Sequence, residues 1–236
     1  MDLLAQLVDK LRKAFGDRLI SVVLYGSAAS GNHHAKYSDY NILCVLDQIT
    51  PREMGQAEDV FRWWREKGSP SPLLLTEDEL NTCTDCFAIE FHDIKANHRV
   101  LHGKDVIAPL AVDDSFYRAQ VEHDLRAKLL RLRQKAAGTL SDQDMLLRIL
   151  ADSLSTFCVL FRHALHLTSG SAPMEKRDVI AQAGRAFGFS TQPFDKLLDL
   201  REERIKTGDL HPGALLPGYL AGISAVIDAV DRLEKT

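Results

Sequence analysis

No uninterrupted apolar run in the 236 residues approaches the ~18 that a membrane-spanning helix needs, so no membrane-embedded segment is expected. Cysteine is scarce. Cys44, Cys83, Cys86 and Cys158 are too few and too scattered to build a disulfide-stapled domain. A dominant charge is also missing, with 29 Lys and Arg against 33 Asp and Glu and a net charge of −4. Such a balance exerts no global pull on nucleic acid or an anionic membrane, so neither is expected as a partner. There is no signal-peptide core after Met1, no low-complexity tract and no fixed-period repeat. These absences together lead to the expectation of a reduced, cytoplasmic protein.

What is present is an ordinary globular composition, 45% hydrophobic and 26% charged, organised around two apolar runs. Val22-Val23-Leu24-Tyr25 leads into Gly26-Ser27, and Ser38-Asp39-Tyr40-Asn41 leads into Ile42-Leu43-Cys44-Val45-Leu46. Both runs read as buried strands. A strand ending in Gly-Ser and followed by Ala28-Ala29-Ser30 offers backbone N–H groups and a hydroxyl suited to a phosphate. On the second strand, alternation puts Asp39 and Asn41 on one face, with Tyr40 and Ile42 turned into the packing.

This pattern resembles the DNA polymerase β-like nucleotidyltransferase superfamily, whose signature is Gly-Ser, a spacer of about a dozen residues, and Asp-x-Asp or Asp-x-Glu on a strand. The resemblance implies a protein that binds Mg²⁺ (or Mn²⁺) and a nucleoside triphosphate (NTP). It further implies possible transfer of a nucleoside monophosphate to the hydroxyl of an unknown small-molecule or macromolecular acceptor. Its residues here would be Asp39 and Glu90 as catalytic groups and Gly26, Ser27, Lys36 and Asn41 at the nucleotide. Asp39, Asn41 and Glu90 would hold metal. Glu90 supplies the third carboxylate because Cys86-Phe87-Ala88-Ile89-Glu90-Phe91-His92 reads as a further strand, with Asp93 as its rival. The segment 95–104 resembles the helix and Leu-Tyr-Gly turn that closes the catalytic domain in bacterial members.

The departure from the signature is Asn41, where the family carries a second carboxylate. An amide oxygen ligates Mg²⁺ but adds no charge. The alternative is therefore a catalytically inactive nucleotide-binding or protein-interaction module, antitoxin-like, with a homodimer or a partner chain left open.

Leu3, Leu4, Leu7, Val8 and Leu11 mark an amphipathic helix over residues 2–15. Thr50-Pro51-Arg52-Glu53 caps another that runs to about Lys67, Leu73-Leu74-Leu75 is a short buried strand, and Thr76-Glu77-Asp78-Glu79 starts a helical turn. Beyond Asp113 only helical periodicity remains, with helices over 143–161, 174–187, 192–206 and 215–233 after a first one carrying Leu125, Leu129 and Leu132. The expected architecture is α+β: residues 1–110 as a nucleotidyltransferase-like mixed sheet with flanking helices, residues 111–236 as an all-α helical bundle.

Other features have plainer explanations. Cys83-Thr84-Asp85-Cys86 with His92, His98 and His102 has zinc-like spacing, but a single pair of cysteines is weak support. Arg126, Lys128, Arg131, Arg133 and Lys135 form a basic run without interleaved aromatics, which reads as a solvated helix face.

Overall fold

The computed structural model describes residues 2–26, 28–29 and 40–233. By its internal contacts the chain divides into two compact units, Met1–Asp114 and Ser115–Thr236.

The first unit is a four-stranded sheet between two helical layers. Its strands are β1 (Leu19–Tyr25), β2 (Asn41–Leu46), β3 (Leu73–Thr76) and β4 (His98–Gly103), in the order β3-β2-β1-β4. β1 pairs antiparallel with both β2 and β4, whereas β2 and β3 are parallel, so the sheet is mixed. Side-chain alternation divides it cleanly. Val22 and Leu24, with Ile42, Cys44 and Leu46, pack against α1 (Leu3–Phe15) and α2 (Pro51–Glu66) through Leu7, Leu11, Ala57 and Trp64. Val23, Leu43 and Val45 face the other way, onto α3 (Glu77–Thr82), α4 (Ala88–Ala96) and Ile107 through Leu80, Phe91 and Ile94.

The start of α2 is built as its sequence predicts. The Thr50 hydroxyl accepts the Arg52 N–H, and the Glu53 carboxylate accepts from the Thr50 N–H (3.0 Å) and hydroxyl. Glu53 is fully buried and also pairs with Arg18. The Thr50 hydroxyl first, then backbone N–H groups and Arg18, hold its carboxyl below the ordinary 4.5 against the opposing effect of burial. A carboxyl depressed on folding contributes stability above its unfolded pKa and loses it as pH falls through the folded one. Wild-type protein is therefore expected to lose urea resistance below about pH 4.5, and Glu53→Gln, weaker at pH 7, to lose less over the same acid range. Urea midpoints at pH 7 and pH 3 for both proteins check this.

Four local expectations are corrected. Residues 88–96 form α4 rather than a strand, with Ala88, Ile89, Phe91 and Ile94 buried on one side; a short apolar run does not distinguish a buried strand from a buried helix. Residues 98–103 form strand β4 rather than a helix and turn, because β1 needs a second antiparallel partner and His98 to Gly103 supplies it. β3 lies at the edge of the sheet with Leu73 exposed, not buried. Cys86 is exposed in a turn, where the Asp85 carboxylate accepts its N–H at 2.8 Å.

The second unit is all-α. α6 (Gln143–Ser169) packs against α5 (Tyr117–Ala137), α7 (Lys176–Phe187), α8 (Gln192–Arg201) and α9 (Pro212–Asp231). α8 stops at Arg201, short of the expected 206, with Glu203 at a positive φ of 57° just beyond it. Phe157, Phe161, Phe189, Phe194 and Tyr219 form its aromatic core, Phe194 and Tyr219 having ring centroids 4.6 Å apart. Among the described residues α9 alone is long and apolar enough to cross a membrane by length and composition. Here Leu215, Tyr219, Ile223, Val226 and Val230 of α9 are buried, which is where its apolarity is used. Both units together give the α+β fold that the sequence implies.

Candidate nucleotide site

The last residues of β1 and the first of β2 meet at one end of the sheet, where Tyr25 stands opposite Asn41 on one side and His98 of β4 on the other. Directly opposite residues share a face, so Tyr25, Asn41 and His98 all point toward the layer that holds α4. Gly26 follows at φ +77°, a left-handed conformation that glycine adopts without penalty. A Cβ on Gly26 would sit 3.3 Å from Asn41 Nδ2, so the turn lies directly against that amide. Ser27, Lys36 and Asp39 fall outside the described residues.

The turn spends more of its backbone than the sequence suggests. The Gly26 N–H donates to the Asn97 carbonyl at 3.0 Å, and the Ala29 N–H donates to the Gly26 carbonyl at 3.0 Å. Both donors are committed within the protein, so a phosphate at this turn has fewer backbone N–H groups to meet than a free Gly-Ser loop would give it.

Glu90 lies in the first turn of α4, exposed, and close enough to Tyr25 for its charge to be felt there. Burial first, and the Glu90 carboxylate second, raise the Tyr25 phenol above its ordinary 10.0. Proximity to Tyr25 thus replaces strand alternation as the reason to prefer Glu90 to Asp93. On a helix these two are three residues apart and share a side, so the offset argument from a strand no longer separates them.

Four residues at this end of the sheet were not assigned to the site from sequence: Tyr25, Asn97, His98 and Asp105. His98 Nε2 and Asp105 Oδ2 are 3.3 Å apart. The Ala108 N–H first, with the Ile107 N–H and His98, holds the Asp105 carboxyl below the carboxylate range despite some desolvation. Tyr25 was readable as the residue before Gly26. Asn97 and His98 were not, because they become neighbours of β1 only once residues 98–103 are known to be a strand.

The zinc-like set is not gathered. His92 bonds Asp114 at 2.6 Å, His98 bonds Asp105, and all four cysteines are free. Among the described residues no group of three or more His, Cys, Asp and Glu side chains could hold a metal ion.

The helical unit carries a feature of its own on one stripe of α6. Lys176 Nζ donates to Ser155 Oγ at 3.1 Å, and Arg201 Nη1 donates to the Ala151 carbonyl at 3.0 Å, one turn away. Neither cation makes an ion pair among the described residues. Loss of hydration, then the neighbouring Arg201 guanidinium, lowers the Lys176 ammonium. Cys158 lies beneath them, its thiol pushed up to about 12 by burial although Lys176, Arg201 and Arg162 pull the other way. The carboxylates of Glu202 and Glu175 act on Lys176 in the opposite sense, so the cluster is one of mixed charge.

No protein-family model and no curated protein matches the chain. Nine chains of known structure match it. One is the crystal structure of spectinomycin adenyltransferase AAD(9) from Enterococcus faecialis with ATP and spectinomycin, at TM-score 0.60 and 13% identity over 93% of this chain and 98% of that one. At that identity the likeness establishes the architecture alone: this chain has the fold of a nucleotidyltransferase.

Proposed function

We propose that the chain binds a nucleoside triphosphate, with Mg²⁺ or Mn²⁺, at the Gly26 end of its sheet and transfers the nucleoside monophosphate to an acceptor hydroxyl. The observation that carries this reading is the meeting of the Gly26 turn, Asn41 and the Glu90 carboxylate around Tyr25, within a nucleotidyltransferase fold.

Asp39, Asn41 and Glu90 would supply all-oxygen ligands of the kind Mg²⁺ and Mn²⁺ take, one negative charge short of the two-carboxylate signature. The set fits an ion that shares its coordination with substrate phosphates. Bound metal would neutralise charge on the phosphates. In the transfer the acceptor oxygen attacks the α-phosphorus, the bond to the departing pyrophosphate breaks, and the hydroxyl proton goes to Glu90. Ser27, and Lys36 in the loop before Asp39, meet the phosphates.

Asn41 and the engaged Gly26 N–H favour a second reading, a nucleotide-binding or partner-binding module without turnover. Calorimetric titration of ATP with Mn²⁺ tests what the two readings share. Wild type is expected to bind and Asp39→Asn to bind at least tenfold more weakly; wild-type protein that binds no nucleotide overturns both. Pyrophosphate release from α-labelled NTPs with candidate acceptors separates them.

A further inference from the structure

We infer that Asn97 is a further nucleotide-contact residue, its side-chain amide being a donor kept for an oxyanion of the ligand at the Gly26 turn. The backbone of Asn97 is pinned on both sides. Its N–H donates to the Asp93 carbonyl at 3.2 Å, closing α4, and its carbonyl accepts the Gly26 N–H at 3.0 Å. The residue therefore stands fixed alongside the turn, one position before His98, which pairs with Tyr25.

The side chain is in the opposite condition. Asn97 Nδ2 is shielded from solvent and has no hydrogen-bond partner. A buried amide donor left unsatisfied carries a desolvation penalty that an apolar side chain would avoid. Departures of this sort from good packing chemistry concentrate where a protein meets its ligand. The neighbouring geometry says which group would relieve it. Gly26 has given its N–H to the Asn97 carbonyl, and Ala29 has given its own to Gly26, so these two donors are not free for phosphate oxygens. Among the described residues two side-chain amides belong to the partners of this turn, Asn41, whose Nδ2 lies against Gly26, and Asn97, whose carbonyl holds the Gly26 N–H. Rotated toward the turn, the Asn97 amide would give a phosphate oxygen a second donor beside Asn41 while its backbone bonds stay as they are.

The assignment rests on the nucleotide-binding reading of this turn, and the test separates the two. Asn97→Ala and Asn97→Asp remove the donor and keep the backbone bonds to Asp93 and Gly26. For a ligand-directed amide, urea midpoints of the free Asn97→Ala protein equal or exceed wild type. Its affinity for ATP with Mn²⁺, read by calorimetry, falls at least tenfold, as does that of Asn97→Asp. A structural amide gives the reverse: variants that are less stable or fail to fold, or that fold and bind ATP as wild type does. Either result overturns the assignment while the nucleotide reading stands. Wild-type protein that binds no ATP overturns both.

Discussion

Replacing Asn41 with Asp is expected to raise the affinity for ATP with Mn²⁺ by about tenfold or more and to produce or increase pyrophosphate release. Asp is nearly isosteric with Asn, and the backbone of residue 41 is held by its pairing with Tyr25, so the new carboxylate takes the place of the amide without repacking. A unit charge about 4 Å from another interacts with about 4 kcal/mol at an effective dielectric of 20, and twice that for a divalent ion. Solvent and salt screen most of this at an open sheet end. A tenfold gain needs only about 1.4 kcal/mol of the remainder. Because the gain comes through the metal, it should vanish when ATP is titrated in EDTA. An increase that persists without metal, or no increase, would mean that residue 41 does not face an ion. Its amide would then serve the turn against which Gly26 is packed.

The strand-turn-strand unit around Gly26 was legible because its signals are local. Branched apolar residues, a glycine and an alternation of two place Ile42 and Cys44 on one side and Leu43 and Val45 on the other, as the two cores show. The caps at Thr50, Thr76 and Asp142 were legible for the same reason, each being a hydrogen bond within four residues of chain. The reading failed where the deciding interaction is distant. Residues 86–92 are apolar nearly throughout, and only packing against Leu43, Val45 and Ile107 makes 88–96 a helix. Residues 98–103 become a strand because β1, some 75 residues earlier, has an open edge. Glu90 thus stands on a helix and not on the strand expected for it. The commitment of the Gly26 N–H to Asn97 could not be foreseen, since it depends on where β4 begins. The cations over α6 were missed for a similar reason: Lys176 and Arg201 look like separate surface residues until α7 and α8 both lean on Ser155 and Ala151.

Gly103→Ala should be among the most destabilising single-methyl additions in the first unit, by about 3 kcal/mol or more. Gly103 ends β4 at φ +79°, and a Cβ there would lie 2.0 Å from the Ile20 carbonyl oxygen, 2.9 Å from its carbon and 3.1 Å from Ser21 Cα. All three are backbone atoms of β1, which no rotamer change can move aside. The left-handed conformation costs an alanine about 1–2 kcal/mol, and overpacking against a rigid neighbour about 1–3 kcal/mol more. The contact is also locked from the far side. Buried Ser21 donates its hydroxyl to the Lys104 carbonyl at 2.7 Å, and the Lys104 N–H reaches the Ile20 carbonyl at 3.4 Å. Relief therefore requires β4 to shift along β1, and such a slip carries His98 away from Tyr25 and Asn97 away from Gly26. Urea unfolding should show the loss directly, and ATP affinity should fall in whatever fraction still folds. Gly55→Ala provides the contrast, since nothing lies within 4 Å of a Cβ in that helical position of α2. There the methyl should stabilise by up to about 1 kcal/mol through helix propensity alone. A Gly103→Ala protein as stable as wild type would mean that β4 does not end against Ile20. The register that brings Asn97 and His98 to the Gly26 turn would then be wrong as well.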